Sequence, residues 1–135
     1  MNTLTPELTY TALAAALTGS LWIPLILNRL REMGMWKALK NPEPDLRPHA
    51  SWAYRLASAH RNAIENLAVF APLALAVHML GLGTAGTALA AALFFWSRLA
   101  HALIYTLGIP LLRTLAFVVG FGAQVTMFLR LFSAA

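Results

Sequence analysis

Four apolar stretches, each at or above the roughly 20 residues needed to cross about 30 Å of hydrocarbon, take up most of this chain. They cover about residues 8–28, 51–80, 83–107 and 111–132. A chain in lipid must satisfy its own backbone hydrogen bonds, and uninterrupted segments of this length do so as helices. With 59% hydrophobic and only 11% charged residues, against about 25% charged in soluble domains, the chain is too apolar to fold in water. The expectation is one all-α integral membrane domain spanning the 135 residues. Short turns at "GLG" and "GIP" join the second span to the third and the third to the fourth. They predict antiparallel neighbours in an up-down-up-down four-helix bundle.

The opening "MNTLTPELTY" has no basic segment and so does not read as a cleavable signal peptide. Pro6 and Glu7 suit the first turn of a helix, where a missing N–H costs nothing and the dipole favours an anion. Residues 29–50 form the long first loop and carry Arg29, Arg31, Lys37, Lys40 and Arg47. Pro42, Pro44 and Pro48 make its distal part extended and irregular. By the positive-inside rule this loop faces the cytoplasm and both termini lie outside, with Arg130 as a single opposing charge. Trp36 and Trp52, on either side of the loop, read as interface anchors. The net charge of +5 does not point to nucleic acid, because the basic residues are split between one loop and the spans and form no face along which a phosphate backbone would run.

Polarity inside the spans is the informative feature. "AHRNAIENLAVFAPLALA", residues 59–76, puts His60, Arg61, Asn62, Glu65 and Asn66 directly before an apolar run. At about 100° per residue, Asn62 and Asn66 fall within about 20° of Arg55, with Ser58 and Glu65 about 60° and 80° to one side. The third span carries a second stripe of Arg98, His101 and Tyr105, and the fourth a weaker line of Arg113, Gly120 and Gln124. Arg61 lies within i,i+4 reach of Glu65. Ionisable groups at membrane depth cost at least about 2.5–3.5 kcal/mol, so these stripes face other helices, pair, or line a wet cavity. Arg55, Arg61, Arg98 and Arg113 outnumber the single acid Glu65. The excess of guanidinium calls for an anion, for which the forked geometry of Arg is suited: a small ligand, or anionic lipid head groups.

The remaining polar residues read as structural. His60 is a helix-contact residue, and His49 and His78 are interfacial. No paired histidine spacing suggests a metal, and Asp45 lies in the loop, away from any Ser/His/Asp arrangement. The small residues of "GLGTAGTALAAAL" allow close helix packing, as at an interface between protomers.

"RLASAHRNAIENL" followed by "SRLAHALIYTLGIPLLRTLAFVVGFG" resembles the MAPEG family, the membrane-associated proteins of eicosanoid and glutathione metabolism. The resemblance covers essentially the whole chain: its length, four spans, the basic first loop and both polar motifs. It implies a homotrimer in a bacterial inner membrane, with glutathione bound between neighbouring subunits near the cytoplasmic face. Carried over residue by residue, Arg55, Asn62, Glu65 and Arg98 match the family's glutathione contacts. His101 stands where the microsomal transferases have histidine, Tyr105 is a further contact, and Arg113 matches the arginine that stabilises the glutathione thiolate. Where several members have a second Arg three residues after the position of Arg55, this chain has Ser58. The implied activity is transferase or peroxidase chemistry on lipophilic electrophiles reaching the thiolate from the bilayer. The chain has no cysteine, so any thiol chemistry requires a bound thiol. The alternative is a non-catalytic scaffold that binds anionic lipid or a partner membrane protein through the same arginines.

Overall fold

In the computed structural model, which describes residues 4–43 and 46–133, the chain folds into five α-helices. They are α1 (Pro6–Ser20), α2 (Trp22–Leu39), α3 (Ser51–Met79), α4 (Ala85–Leu107) and α5 (Pro110–Phe132). Pro44 and Asp45 lie outside the described residues. Four segments are long and apolar enough to cross a membrane, α1 and α2 counting together as one bent span from Pro6 to Leu39.

The first span is therefore not the single helix over residues 8–28 that the hydropathy predicts. It breaks at Leu21 because Pro24 has no N–H to offer and its ring would collide with the carbonyl four residues back, on Ser20. Nor does the basic loop start at residue 29: α2 runs on to Leu39, through a run that holds no proline. Gly34 bends it with a positive φ of 76°. Only from Lys40 is the chain extended, as the prolines predict. Glu32 ties this arm back, its carboxylate accepting from Asn28 Nδ2 and from the backbone N–H groups of His49 and Ala50 (2.9–3.1 Å). Ala50, the residue before α3, has no side chain that caps the helix, and Glu32 instead holds the backbone that leads into it.

α4 starts on a reciprocal Thr84/Thr87 capping box and ends on Gly108, left-handed at φ 82°. The core is built from small residues around two rings: Ala14, Ala74, Ala90, Ala91 and Ala123 surround Phe70 and Phe94, which stack with centroids 3.8 Å apart. Ala90 and Ala91 of the small-residue segment are thus used within the protomer, letting helix backbones approach closely where lipid supplies no hydrophobic drive. Leu103, Leu111, Val118 and Phe128 are among the large apolar side chains exposed outward.

Polar contacts locate the helix ends. The start of α1, the end of α3, the start of α4 and the end of α5 gather in one cluster. Buried Glu7 accepts from Thr87 Oγ1 at 2.6 Å, Thr5 Oγ1 lies 3.3 Å from His78 Nδ1, and Arg130 Nε donates to the Leu82 carbonyl. Glu7 thus does more than complement its own helix dipole. The end of α4 meets the start of α3 and the start of α5 at the opposite pole, where the arginines lie.

Candidate functional site

The two polar stripes on α3 and α4 and the line on α5 meet in one continuous chain of contacts. Gln124 Nε2 donates to Asn66 Oδ1 (2.9 Å), and Asn66 Nδ2 donates one turn back to the Asn62 carbonyl (2.8 Å). Asn62 Oδ1 accepts from Arg98 Nη1 (3.1 Å), and Arg98 Nη2 donates to the carbonyls of Ala116 (3.1 Å) and Phe117 (3.5 Å). Asn66 and Gln124 are buried, and the bond from Gln124 to Asn66 joins α5 to α3, which is the helix-packing use of amides in a membrane bundle. Helix carbonyls are normally shielded by the side chain one turn on. Here that residue is Gly120, where a Cβ would stand 2.6 Å from Arg98 Nη2 and 2.8 Å from Ser97 Oγ.

Arg98 is 2% exposed. Its guanidinium lies against the rings of Phe94 and Phe117 (5.9 and 5.5 Å), and its Nε is buried with no partner. The sequence led us to expect Arg98 on a ligand; within the protomer it is turned inward and engaged by neutral oxygens. From Phe117 a line of rings runs outward: His101, buried, lies 6.5 Å from Phe117 and edge-on to Tyr105 at 5.5 Å. Half-buried Tyr105 carries the Arg113 guanidinium 4.5 Å above its ring. That contact holds a cation by the ring quadrupole without using its N–H groups.

Arg55 is half-buried at the same pole. Its Nε donates to the Thr106 carbonyl (2.8 Å), and its side chain packs over Gly108, where a Cβ would come within 3.2 Å of Nε. It thus caps the carbonyl end of α4, a favourable place for a cation. Glu65 and Arg61 are exposed. The expected Arg61–Glu65 pair does not form: Arg61 Nη2 lies 3.4 Å from Ser58 Oγ, a turn in the other direction. Both side chains lie exposed on the protomer surface, with Arg61 turned toward Ser58 and away from Glu65.

Asn62, Arg98, His101, Tyr105 and Arg113 are therefore brought into one line, Arg55 stands beside it on α4's end, and Glu65 projects from the protomer surface. Two concave spaces lie beside this line. A groove of about 360 Å³ runs between α2, α3 and α4, walled by Pro24, Trp52, Leu56, Leu103 and Leu107, and reaches Thr106. A smaller cleft of about 190 Å³ has Arg29, Glu32 and Arg47 on its walls, and Arg29 Nε is buried without a partner among the described residues. Counting Arg29 among loop charges missed it as a cleft residue; the helical continuation that places it there had no local marker. Among the described residues, no group of three or more His, Cys, Asp or Glu is placed to hold a metal ion.

The family model described as MAPEG family matches residues 8–133 of the chain. No curated protein and no solved structure matches it.

Proposed function

From the premise that this chain belongs to the MAPEG family, whose members include glutathione transferases, we propose that it is a glutathione-dependent membrane transferase or peroxidase. It is an integral membrane protein by its four spans and its family. The helices run up-down-up-down, a reading supported by the clustering of alternate helix ends around Glu7. We read the membrane as a bacterial inner membrane, with the segment from Arg29 to Arg47 on its cytoplasmic side and both termini outside, an orientation that its five basic residues favour.

The observation that carries the proposal is Arg113. Its guanidinium rests on Tyr105, is half exposed, and makes no hydrogen bond among the described residues, so its donors are available to an anion. A cysteine-type thiol ionises near pH 8.5 and is mostly protonated at neutral pH. A guanidinium beside the sulfur favours the thiolate, lowers that value and supplies the nucleophile. Tyr105 donates a hydrogen bond to the sulfur. Arg55, Asn62, Glu65 and His101 hold the peptide, whose two carboxylates and one ammonium suit cations with one acid among them.

Arg55, Glu65, Tyr105 and Arg113 reach the protomer's surface, with His101 buried behind Tyr105, which supports a site closed by a neighbouring subunit in a homotrimer. A lipophilic electrophile enters from the bilayer, and the apolar groove by Leu103 and Leu107 offers it a wall. The thiolate attacks the electrophilic carbon, forming the C–S bond as the leaving group departs with the bonding pair. With a hydroperoxide it attacks the terminal oxygen instead: the O–O bond breaks, and the alkoxide leaves and is protonated to the alcohol. The resulting sulfenic acid condenses with a second glutathione to give the disulfide, releasing water. The test is the ultraviolet absorbance of thiolate when glutathione is added to purified protein near neutral pH. A stoichiometric signal lost in Arg113→Ala supports the reading; no signal refutes it. Retained anionic phospholipid that glutathione cannot displace supports instead a lipid-binding scaffold.

A further inference from the structure

We propose that Arg98 is a positioning residue: it aims Asn62 and Arg113 at the bound peptide and does not itself touch it. The inference rests on the glutathione reading above and assigns Arg98 a different part in it. Its guanidinium has no outward face, with Nη1 on Asn62, Nη2 on the carbonyls of Ala116 and Phe117, and Phe94 and Phe117 covering its planes. At 2% exposure no carboxylate of a peptide reaches it without displacing one of these partners.

What it holds is informative. Asn62 Oδ1 is fixed as an acceptor toward Arg98, so the Asn62 amide presents its NH2 donors on the other side, toward the half-buried surface. Ala116 and Phe117 stand three and four residues after Arg113, on the same face of α5. Bonding their carbonyls fixes the rotation of α5's first turns and with it the root of the Arg113 side chain. The rings of Phe117, His101 and Tyr105 continue the link to the Arg113 guanidinium itself. The spacing of α5 is set in the same place, because Gly120 admits Arg98 at a distance that any Cβ would forbid.

The charge has a use beyond adhesion. A glutamine would bond carbonyls without the penalty of an unpaired cation at membrane depth. Keeping arginine leaves a fixed positive field behind the rings, in surroundings of low dielectric where it acts on a nearby anion at longer range than in water. Lysine keeps the charge but cannot bond Asn62 and α5 together as a planar fork does.

The experiment compares wild type, Arg98→Lys and Gly120→Ala as assembled protein in lipid nanodiscs. Two probes are used, glutathione for its thiolate absorbance against pH, and S-methylglutathione, which has no ionisable thiol, for affinity. In Arg98→Lys the affinity for S-methylglutathione stays within about threefold of wild type. The ionisation of bound glutathione moves up by about one pH unit, so that thiolate measured at a pH below both midpoints falls about tenfold. Gly120→Ala moves it the same way with every charge retained, because the new methyl displaces Nη2; it also carries the test where Arg98→Lys fails to fold. Weaker S-methylglutathione binding that matches or exceeds the loss of thiolate overturns the proposal and makes Arg98 a ligand contact. Unchanged thiolate with only a lower thermal stability overturns it in favour of simple adhesion. A wild type that binds neither probe sinks the glutathione reading itself, and this proposal with it.

Discussion

At the pole where α1 and α4 begin, polar groups close on one another: the Glu7 carboxylate takes the Thr87 hydroxyl, Thr87 completes a capping box with Thr84, and Arg130 covers the Leu82 carbonyl. At the pole where α3 and α5 begin, Arg113 has only a ring beneath it, Arg98 is met by neutral oxygens, and Arg55 spends one nitrogen on a helix end. Both poles bring ionisable groups into an apolar bundle at similar cost. One pole offsets that cost internally and so adds stability; the other is left short of negative charge. The lesson is that a polar residue in a membrane span reveals function by what is missing from its surroundings more than by its presence.

The largest expected effect comes from Arg113→Ala. Losing a donor aimed at developing or fixed negative charge costs about 10²- to 10³-fold in turnover. Thermal stability should stay near wild type, since the guanidinium rests on the Tyr105 ring and makes no hydrogen bond among the described residues. The pH profile carries a sign. A thiol pKa lowered by Arg113 makes the rate rise with pH at lower pH than for free thiol, and the variant moves that limb upward. A fall in melting temperature with turnover intact would break the contrast between the poles. Glu7→Ala should do the reverse. It removes a buried interhelical hydrogen bond, although the Thr87 hydroxyl keeps the Thr84 carbonyl as an acceptor, and lowers unfolding free energy by about 1 kcal/mol, with glutathione binding unchanged. Arg130→Ala, which strips one bond from the α3–α4 turn, should cost about 1 kcal/mol by the same measurement. The smallest effect belongs to the joint between the poles. Gln124→Leu removes an interhelical amide pair and should cost about 0.6 kcal/mol of stability. Under the positioning argument, it also produces a slight loss of bound thiolate through Asn66 and Asn62.

Much of this bundle is legible before any coordinates. Span lengths and the 100° periodicity place Asn62 and Asn66 on one face, and Arg98, His101 and Tyr105 on another, because both signals are local to a helix. Pro24 and Ser20 are adjacent enough in sequence for the break at Leu21 to be readable too, but hydropathy alone runs across it. The course of α2 through Gly34 to Leu39 is hidden, since basic residues serve equally in a loop and on a helix beyond the membrane. Arg98 shows the deeper limit. Its acceptors include backbone carbonyls, which every residue owns and no sequence marks, and only Gly120 hints that they are open. Glu7 and Thr87 lie 80 residues apart with nothing local linking them. Arg61 and Glu65 have i,i+4 spacing and still do not pair, because spacing fixes reach and not the direction each side chain takes.

The claim on which all of this turns is that unpaired guanidinium groups at one pole select a negatively charged guest. Its most direct measurement is the affinity of the purified protein for glutathione beside that for glutathione diethyl ester, which keeps the thiol and loses both carboxylates. Glutathione binding at least about tenfold tighter than the ester, with the margin shrinking in Arg55→Ala, is the predicted result. Equal affinities, or a preference for the ester, would contradict it.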